Sequence, residues 1–239
     1  MNKKPVIQLQ NITKSYRLGE TDYQALKGIN INIYEGEFVA IMGPSGSGKS
    51  TAMHIMGALD TPTTGQYYLD GTEISKYTDD QLSRIRNQRI GFVFQSFNLL
   101  PRTTVLKNVE RPMMYGKVPF GNREKRAFDV LDLVHIKEKA QNMSNQLSGG
   151  QIQRVAIARA LVMNPMLIFA DEPTGNLDSK TSHEVMSFLQ EMNDHGKTIV
   201  VITHELDIAS YTKRIISLKD GLILFDKQNQ QFREKKEKI

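Results

Sequence analysis

The sequence predicts an α/β fold in which helices cover a parallel sheet, with an antiparallel β flank and an inserted α-helical subdomain. The first observation behind it is a set of continuous apolar runs of strand length, at residues 38–42, 166–170 and 198–202. Such runs are typical of parallel strands that are buried on both faces. The second observation is a pair of alternating apolar segments in the N-terminal part of the chain, and the third is a helix-like middle part. A length of 239 residues suits one large domain with an inserted lobe.

The remaining elements follow from periodicity and from chain-breaking residues. Residues 7–10 and 29–33 alternate between apolar and polar side chains, which predicts half-buried strands of the antiparallel flank. In the middle of the chain, helix-like segments at 105–115 and 123–134 are separated by glycines and prolines. We therefore divide the chain into a catalytic core of approximately residues 1–95 and 150–225, a helical subdomain of approximately 96–149, and a mixed-charge tail at 226–239 whose end, from Arg233 onward, should be solvated and frayed.

Composition argues against several classes of protein. The apolar and charged fractions, 39% and 24%, lie near the averages of soluble globular proteins, so neither disorder nor a fibrous fold is indicated. No apolar run approaches the roughly 20 residues that span a bilayer, and no apolar signal region follows the N-terminal lysines, so we expect a cytosolic protein. Without cysteine, disulfides and cysteine-ligated zinc are excluded. Basic residues occur along the whole chain with acidic ones among them, so a net charge of +5 does not predict a nucleic-acid partner.

The segment after the run at 38–42 has the GxxxxGK[ST] pattern of a phosphate-binding P-loop and leads into a predicted helix. Glycines allow successive backbone N–H groups to turn inward, and the helix N-terminus favours anionic phosphates. We expect Lys49 to reach the β- and γ-phosphates of ATP and the Ser50 hydroxyl to ligate Mg²⁺. The alternative is a glycine-rich turn that binds nothing. The predicted ATP-binding residues of this segment are Gly43, Pro44, Ser45, Gly46, Ser47, Gly48, Lys49, Ser50 and Thr51.

Two adjacent carboxylates, Asp171 and Glu172, follow the run at 166–170. Ligands of parallel sheets bind at this carboxyl edge of the strands. In a chain that also has a P-loop, Asp171 is the expected outer ligand of Mg²⁺, and Glu172 is the expected group that polarises the attacking water. Taken alone, the pair could instead be a helix cap ahead of Pro173.

Residues 147–151 read Leu-Ser-Gly-Gly-Gln and precede a helix predicted at 152–163. Here the sequence resembles the ABC ATPase family, whose signature is LSGGQ. A serine hydroxyl and the bare backbone of two glycines suit a second phosphate cradle at a helix N-terminus. By itself the motif could be an ordinary N-cap with flexible glycines. The resemblance implies a P-loop NTPase fold with a RecA-like parallel core. The signature residues are Ser148, Gly149, Gly150 and Gln151.

Four further positions match motifs of the ABC family. Tyr16 matches the A-loop aromatic that stacks on adenine, although it could be an ordinary core or surface tyrosine. Gln95 matches the Q-loop glutamine, which senses Mg²⁺ and the reacting water. Asp178 resembles the D-loop aspartate, which lies across the dimer seam. His204 matches the H-loop histidine that contacts the γ-phosphate, a role that a lone histidine would not suggest without these motifs.

The resemblance implies an ATPase that works as a homodimer on a separate integral membrane permease, at the cytoplasmic face of the cell membrane. In the family, the P-loop of one subunit holds ATP while the LSGGQ of the other closes over the γ-phosphate, and hydrolysis releases the two subunits. Stretches at 57–65, 90–95, 98–101 and 170–178 resemble ATPases of the MacB, LolD and BceA type. That type implies export, or the handling of antimicrobial peptides or lipoproteins.

Two other functions stay open. A soluble ABC protein of DNA repair or translation would typically need a coiled-coil arm, zinc modules or two cassettes in one chain, and the sequence shows none of these. A complex that transmits force without moving a solute, as the FtsE-type cell-division ATPases are thought to do, is not distinguished from a transporter by sequence. We expect part of an apolar cluster of the helical subdomain to face the permease, although all six side chains could instead pack its core. The cluster consists of Phe97, Leu99, Leu100, Met113, Met114 and Tyr115.

Overall fold

The computed structural model describes residues 4–19 and 21–233. The chain forms two compact units. The first contains the chain up to Ser83 together with the chain from Met186 onward, and the second contains Arg84–Val185. This division differs from the predicted core and helical subdomain. Some strands that we assigned to the catalytic core belong instead to the second unit, together with its helices. The subdomain boundaries at 96 and 149 stay a prediction.

Ten strands and seven α-helices occur along the described residues. The strands are β1 Pro5–Leu18, β2 Thr21–Tyr34, β3 Phe38–Met42, β4 Thr64–Leu69, β5 Thr72–Glu73, β6 Ile90–Phe94, β7 Leu167–Asp171, β8 Thr198–Ile202, β9 Arg214–Lys219 and β10 Leu222–Gln228. The helices are α1 Lys49–Met56, α2 Asp79–Arg89, α3 Val105–Tyr115, α4 Phe120–Leu133, α5 Gly149–Leu161, α6 Ser179–Asp194 and α7 Leu206–Ser210. Two short 3₁₀-helices, Lys137–Lys139 and Ser144–Gln146, lie between α4 and α5 in the chain.

The first unit contains the predicted antiparallel flank. The long strands β1 and β2 pair in antiparallel, with Ile7 opposite Ile33 and Leu9 opposite Ile31. Strand β4 pairs with the other edge of β1, and β5 pairs with β4, which gives the sheet order β2-β1-β4-β5. The flank is confirmed, and both of its predicted strands extend well beyond the alternating segments that indicated them.

A second sheet of the first unit carries parallel strands. Strand β3 lies between β8 and β9 and runs parallel to both, while β10 pairs in antiparallel with β9. Every residue of β3 and of β8 is buried, as expected for strands covered on both faces. Ile41 lies opposite Ile202, so the two strands end at the same edge of the sheet. The segments that follow β3 and β8 therefore emerge side by side.

The second unit combines a parallel strand pair with the helices α3, α4 and α5. Strands β6 and β7 are parallel, and Phe94 lies opposite Asp171. Strand β7 begins and ends one residue later than the predicted run, so Asp171 is the last residue of the strand itself. Fully buried apolar side chains from the three helices, including Val109, Leu131 and Val155, form its interior. No helix within residues 4–19 and 21–233 is both long enough and apolar enough to cross a bilayer.

Local capping determines where the helices of this unit begin. The helix α3 spans Val105–Tyr115 as predicted, and the Thr104 hydroxyl accepts a hydrogen bond from a backbone N–H of its first turn at 3.3 Å. The helix α4 begins at Phe120 and not at Arg123, because Pro119 precedes it as the cap residue and cannot itself donate a backbone hydrogen bond. The lobe is helical where the sequence predicted helices.

The C-terminal part is more ordered than we predicted. The first residues of the predicted tail belong to β10, which runs to Gln228. Beyond it, the Phe232 ring packs edge-on against Tyr211, with 5.2 Å between ring centroids. The guanidinium of Arg233 donates two hydrogen bonds of 2.8 Å to Asp194. Arg233 is therefore held in place and not frayed, whereas residues 234–239 lie outside the described residues.

Candidate functional site

The P-loop connects the end of β3 to the first turn of α1 in the first unit. The helix begins at Lys49, and Gly48 is its cap residue, with a φ of 99°. A Cβ atom at Gly48 would lie 2.7 Å from the carbonyl oxygen of Ala25, so only glycine fits both the backbone angle and the space. The loop is thus a tight strand-to-helix turn, as the motif predicted.

Polar atoms of the P-loop point into the loop itself. The Lys49 ammonium is almost buried and donates hydrogen bonds to the carbonyl oxygens of Gly43 and Pro44, at 2.6 Å and 2.8 Å. The Ser47 hydroxyl is buried, and among the described residues it has no hydrogen-bond partner. Ser45 and Ser50 are exposed. A buried cation and a buried, unsatisfied hydroxyl beside a helix N-terminus fit an anionic ligand.

Tyr16 is held by two neighbours in the same unit. Its hydroxyl donates a hydrogen bond to Asp60 at 3.2 Å, and the Lys14 ammonium lies 5.2 Å from the centroid of its ring. Lys14 and Asp60 form a salt bridge of 2.6 Å. Partial burial raises the pKa of Tyr16, a hydrogen bond from the Thr51 hydroxyl lowers it, and Asp60 adds a smaller contribution that raises it. The ring is therefore fixed close to the first turn of α1.

Asp60 titrates below its ordinary range. Partial burial alone would raise the pKa of this carboxyl, but hydrogen bonds from Lys14 and from the backbone N–H of Thr61 outweigh that effect and lower the pKa. Asp60 is therefore ionised at neutral pH and can hold both Lys14 and the Tyr16 hydroxyl. This arrangement keeps one ring face of Tyr16 occupied by a cation.

His204 lies at the same sheet edge as the P-loop. The backbone N–H of Thr203 donates to the carbonyl oxygen of Ile41 at 3.2 Å, which ties the end of β8 to the end of β3. The Thr203 side chain in turn accepts a hydrogen bond from the backbone N–H of Glu205 at 3.0 Å. The imidazole of His204 between them is exposed at this edge. Two of the predicted site elements are thus brought together within the first unit.

The second unit brings Gln95 next to the segment that follows the carboxylate pair. Asn176 donates a hydrogen bond from its side-chain amide to the carbonyl oxygen of Gln95 at 2.9 Å. A Cβ atom at Gly175 would lie 2.6 Å from the Gln95 side-chain nitrogen, so the two residues are in close contact. The parallel pairing of β6 with β7 places Asp171 at the same edge as Gln95.

Glu172 has an unusual backbone conformation. Its φ is 43°, in the left-handed region that residues other than glycine rarely adopt. The strain is held by a hydrogen bond from the backbone N–H of Gly175 to its carbonyl oxygen, at 3.1 Å. A buried hydrogen bond of 2.7 Å from Gln153 to the carbonyl oxygen of Pro173 fixes the next residue. Strained non-glycine residues of this kind cluster at functional sites.

The signature motif caps the helix α5. The Ser148 hydroxyl accepts a hydrogen bond from the Gln151 backbone at 3.4 Å, and the Gln151 side chain accepts one from the Ser148 backbone at 3.0 Å. This reciprocal capping starts the helix at Gly149 and not at residue 152 as predicted. A Cβ atom at Gly150 would lie 2.5 Å from a side-chain carbon of Thr181, so the second glycine allows a close approach. The exposed first turn is available to an anion.

Asp178 caps the next helix of the chain. Its carboxylate accepts hydrogen bonds from the backbone N–H and the hydroxyl of Thr181, at 3.0 Å and 2.6 Å. These bonds, the hydroxyl first, lower the pKa of Asp178. The cap role and a role across a dimer seam are compatible, because the carboxylate is on the surface.

Sequence reasoning missed three residues that hold the site together. Arg159, on α5, donates hydrogen bonds to the carbonyl oxygens of Phe97 and Asn98, just after Gln95. Lys14 and Asp60 orient Tyr16, as described above. Arg159 and Lys14 belong to none of the stretches that we matched, and Asp60 lies in the stretch 57–65 without having been assigned a role. Two successive non-glycine residues in the left-handed region, Phe97 and Asn98, have no sequence signal either.

The comparisons with known proteins agree with this geometry. The family model described as "ABC transporter" matches residues 26–175. An uncharacterized ABC transporter ATP-binding protein of Methanocaldococcus jannaschii, MJ0796, is 52% identical over 221 residues, which cover 90% of this chain and 94% of that protein. A macrolide export ATP-binding/permease protein, MacB, of Chlorobaculum tepidum is 52% identical over 228 residues. That alignment covers 95% of this chain but 35% of MacB, so the chain spans about a third of that relative.

Solved structures give the same result. The dimeric structure of MJ0796, a bacterial ABC transporter cassette, has a TM-score of 0.85 and 50% identity, and covers 95% of this chain and 100% of that chain. A dimeric post-hydrolysis state of the same cassette, bound to ADP and Pi, has a TM-score of 0.85 and 49% identity, over 95% of this chain and 100% of that chain. Fold and site thus define an ATP-binding cassette of the P-loop NTPase class. The chain belongs to the ABC transporter family and is an ABC-type ATPase.

Proposed function

We propose that two copies of this chain bind ATP between them and drive a separate membrane permease by cycles of ATP-dependent closure and hydrolysis-dependent release. The observation that carries the proposal is that one chain has two helix N-termini suited to phosphate, at α1 in the first unit and at α5 in the second. The first has a lysine, and the second is a serine-capped, glycine-rich turn. In a dimer, each ATP can be bound by the N-terminus of α1 from one copy and the N-terminus of α5 from the other copy.

The first unit supplies the groups that bind the nucleotide. Lys49 would exchange its two carbonyl partners in the loop for the β- and γ-phosphates, and the unsatisfied Ser47 hydroxyl would gain an acceptor. The ring face of Tyr16 that Lys14 does not cover would stack on adenine while Asp60 and Lys14 hold the ring in place. His204, at the edge shared with the P-loop, would contact the γ-phosphate. Thr51, beside Tyr16, completes the first turn.

The second unit supplies the groups that act on water. The Glu172 carboxylate would accept the proton of the attacking water, and Gln95 would orient that water by its amide. Ser50, Gln95 and Asp171 would hold Mg²⁺, which neutralises charge that develops on the phosphates. Among residues 4–19 and 21–233 no group of three or more His, Cys, Asp or Glu side chains could hold a metal by itself. This fits an ion that takes most of its ligands from the nucleotide and water.

A homodimer would complete each site. The relative MJ0796 was solved as a dimer, also in a post-hydrolysis state with ADP and Pi. By that likeness, the exposed first turn of α5 with Ser148 and Gly149 would face the γ-phosphate bound to the P-loop of the partner. The surface carboxylate of Asp178 would lie across the seam. A monomer would then be nearly inactive.

The permease would dock on the part of the predicted apolar cluster that lies next to Gln95 in the chain. Met113 is fully buried in the second unit, so it belongs to the part of the cluster that packs the core. Phe97, Leu99 and Leu100 are partly exposed and follow the loop that carries Gln95. We place the permease contact on these three residues. A movement of Gln95 would then be transmitted to the permease directly, through the same loop segment. This arrangement would hold the chain at the cytoplasmic face of the membrane.

The coupled process is either transport or force transmission. The name of the MacB relative indicates macrolide export by that protein, and export, or handling of antimicrobial peptides or lipoproteins, is the process we favour here. Transmission of force without a solute, as in FtsE-type ATPases, is the second candidate. Reconstitution with the permease in vesicles would distinguish them, because a transporter accumulates solute in an ATP-dependent manner.

The proposal that two copies share and hydrolyse ATP is tested by Glu172→Gln in the isolated chain. The amide is almost the same size but cannot accept the proton of water, so phosphate release should nearly stop while ATP still binds. With ATP, the variant should elute as a stable dimer in size-exclusion chromatography, and without ATP as a monomer. Turnover at the wild-type rate would overturn the role of Glu172, and a monomer with bound ATP would overturn the shared site.

A further inference from the structure

The excess positive charge of the chain is concentrated in one segment of the second unit. Residues 102–126 contain seven basic and two acidic side chains, so their net charge of +5 equals that of the whole chain. The remaining residues are balanced, although basic side chains occur throughout. Arg102, Lys107, Arg111, Lys117 and Lys125 are exposed. The segment therefore creates a local positive potential that the net charge alone does not reveal.

Large apolar side chains protrude from the same segment. Met114 and Tyr115, at the end of α3, are 56% and 68% exposed, and Phe120, at the start of α4, is 86% exposed. Phe120 in particular is almost fully exposed, so its ring is hardly covered by other side chains. Apolar groups of this size that are exposed within seven residues of one another in the chain favour an interaction site.

The corner between the two helices is well defined. The backbone N–H of Val118 donates to the carbonyl oxygen of Met113 at 3.0 Å, and the Arg123 side chain donates to the carbonyl oxygen of Val118 at 2.7 Å. The backbone N–H of Gly116 donates to the carbonyl oxygen of Pro112 at 2.9 Å. These bonds turn the chain sharply, so the protruding side chains belong to a structured corner and not to a frayed end.

We propose that this corner, residues 114–120 with the exposed cations Arg111, Lys117 and Lys125 at or next to it in the chain, binds directly to the surface of an anionic phospholipid bilayer. Lysine and arginine side chains attract anionic headgroups, and exposed aromatic side chains suit the boundary between headgroups and acyl chains. A helix seated in a groove needs a concave apolar surface instead. The contact goes beyond the proposed function, because it requires neither ATP nor the permease.

The proposal predicts binding to lipid vesicles by the isolated chain. Flotation should show binding to vesicles of equal parts phosphatidylcholine and phosphatidylglycerol, little binding to pure phosphatidylcholine, and release by salt, because exposed charges are screened. The double variant Lys117→Ser/Phe120→Ser should bind at least about tenfold more weakly, since each lost cation lowers partitioning about fivefold and the lost ring lowers it further. ATPase activity and melting temperature should stay unchanged.

A matched control removes the same kinds of side chain from the first unit. Lys219 and Leu224 are also exposed, on β9 and β10, and the double variant Lys219→Ser/Leu224→Ser should bind vesicles as tightly as wild type. Equal losses in the two double variants, or no binding of the wild type to anionic vesicles, would overturn the proposal. So would unchanged vesicle binding by Lys117→Ser/Phe120→Ser together with loss of permease co-purification, because the corner would then belong to the permease.

A last experiment distinguishes binding to a lipid surface from binding to any polyanion. Double-stranded DNA should bind weakly, and its binding should not depend on Phe120, because DNA offers no apolar phase to the ring. If DNA competed with anionic vesicles and Phe120→Ser left both affinities unchanged, the cations alone would explain the binding, and the lipid contact would be disproved.

Discussion

Arg159 donates a hydrogen bond of 2.7 Å to the carbonyl oxygen of Phe97, and a second one to that of Asn98. The arginine lies on α5, which begins at the signature motif, and the carbonyls follow Gln95. Burial lowers the pKa of this guanidinium, which indicates how far it is withdrawn from water. One side chain thus connects the helix that the signature motif caps to the loop that carries Gln95, within a single unit.

Arg159→Met should therefore reduce turnover more than ATP binding. Without the guanidinium, the loop loses the donors that hold its left-handed residues, and Gln95 shifts. We expect kcat to fall by about tenfold to a hundredfold with KM little changed, since small misplacements of positioned groups have effects of this size. The free energy of unfolding should fall by about 1–3 kcal/mol, because two backbone carbonyl oxygens lose a charged hydrogen-bond donor. Arg154→Met, on the same helix, is the matched control. Equal kcat values in the two variants would contradict the connection.

Lys49→Ala should abolish tight nucleotide binding. The ammonium is the charge nearest to the expected phosphates, and its loss affects the ground state as well as the transition state. Affinity for a fluorescent ATP analogue should fall by about tenfold to a hundredfold, as expected for a charge-assisted hydrogen bond. Lys219→Ala, at an exposed position, serves as the control. Binding as tight as in wild type would remove Lys49 from the phosphate site.

Asp60→Asn should weaken ATP binding through Tyr16. The amide cannot hold the Lys14 ammonium as a carboxylate does, so the cation on the tyrosine ring and the ring orientation are both lost. We expect KM for ATP to rise about threefold to tenfold, the range of one aromatic stacking interaction, with kcat almost unchanged. Tyr16→Phe keeps the ring and should have a smaller effect than Tyr16→Ala. A fall in kcat without a rise in KM would place the cluster outside the adenine site.

Phe97→Asp should separate hydrolysis from permease binding. The side chain is partly exposed, so the folded state should tolerate a charge there, while an apolar permease contact should not. The variant should melt near the wild-type temperature, hydrolyse ATP as an isolated chain, and fail to co-purify with its permease. Met114→Asp is the comparison, and under our assignment it should still co-purify. Retention of the permease by both variants would move the docking surface elsewhere.

The contact between Arg233 and Asp194 should respond to acid. The hydrogen bond from Arg233 is the main cause that lowers the pKa of Asp194, so the contact stabilises the fold above the ordinary aspartate pKa and is lost as pH falls through the lowered one. Other carboxylates titrate in the same range, so the comparison is with Arg233→Gln. The difference in melting temperature between the two proteins should be small at neutral pH, and it should vanish only well below the ordinary pKa of aspartate, once the lowered pKa of Asp194 has been passed. A constant difference would contradict the assignment.

Much of the fold followed from local patterns in the sequence. Runs that are apolar throughout can be buried on both faces, and the strands at 38–42 and 198–202 have the predicted bounds. The bounds of α3 were also predicted correctly, because Thr104 and Gly116 are strong boundary signals. The start of α5 was not, because two glycines look like a loop until the reciprocal cap between Ser148 and Gln151 is seen.

Residues that orient the site were harder to predict. Tyr16 and Asp60 are far apart in the chain, and the pairing of β1 with β4 is needed to bring their elements together. Arg159 lies within an amphipathic helix, where an arginine normally faces solvent. Tertiary contacts of this kind leave no periodic or motif signal in a single sequence. Only the geometry identifies them.

The left-handed backbone of Glu172 implies a trade-off between heat resistance and turnover at this position. Glycine or asparagine adopts such a φ at less cost than glutamate, by about 1 kcal/mol for glycine. A library randomised at residue 172 and selected for survival at high temperature should thus drift toward Gly and Asn, whereas selection for growth that needs ATP turnover should return Glu. The intrinsic preference of the backbone and the demand of the chemistry oppose each other at a single codon.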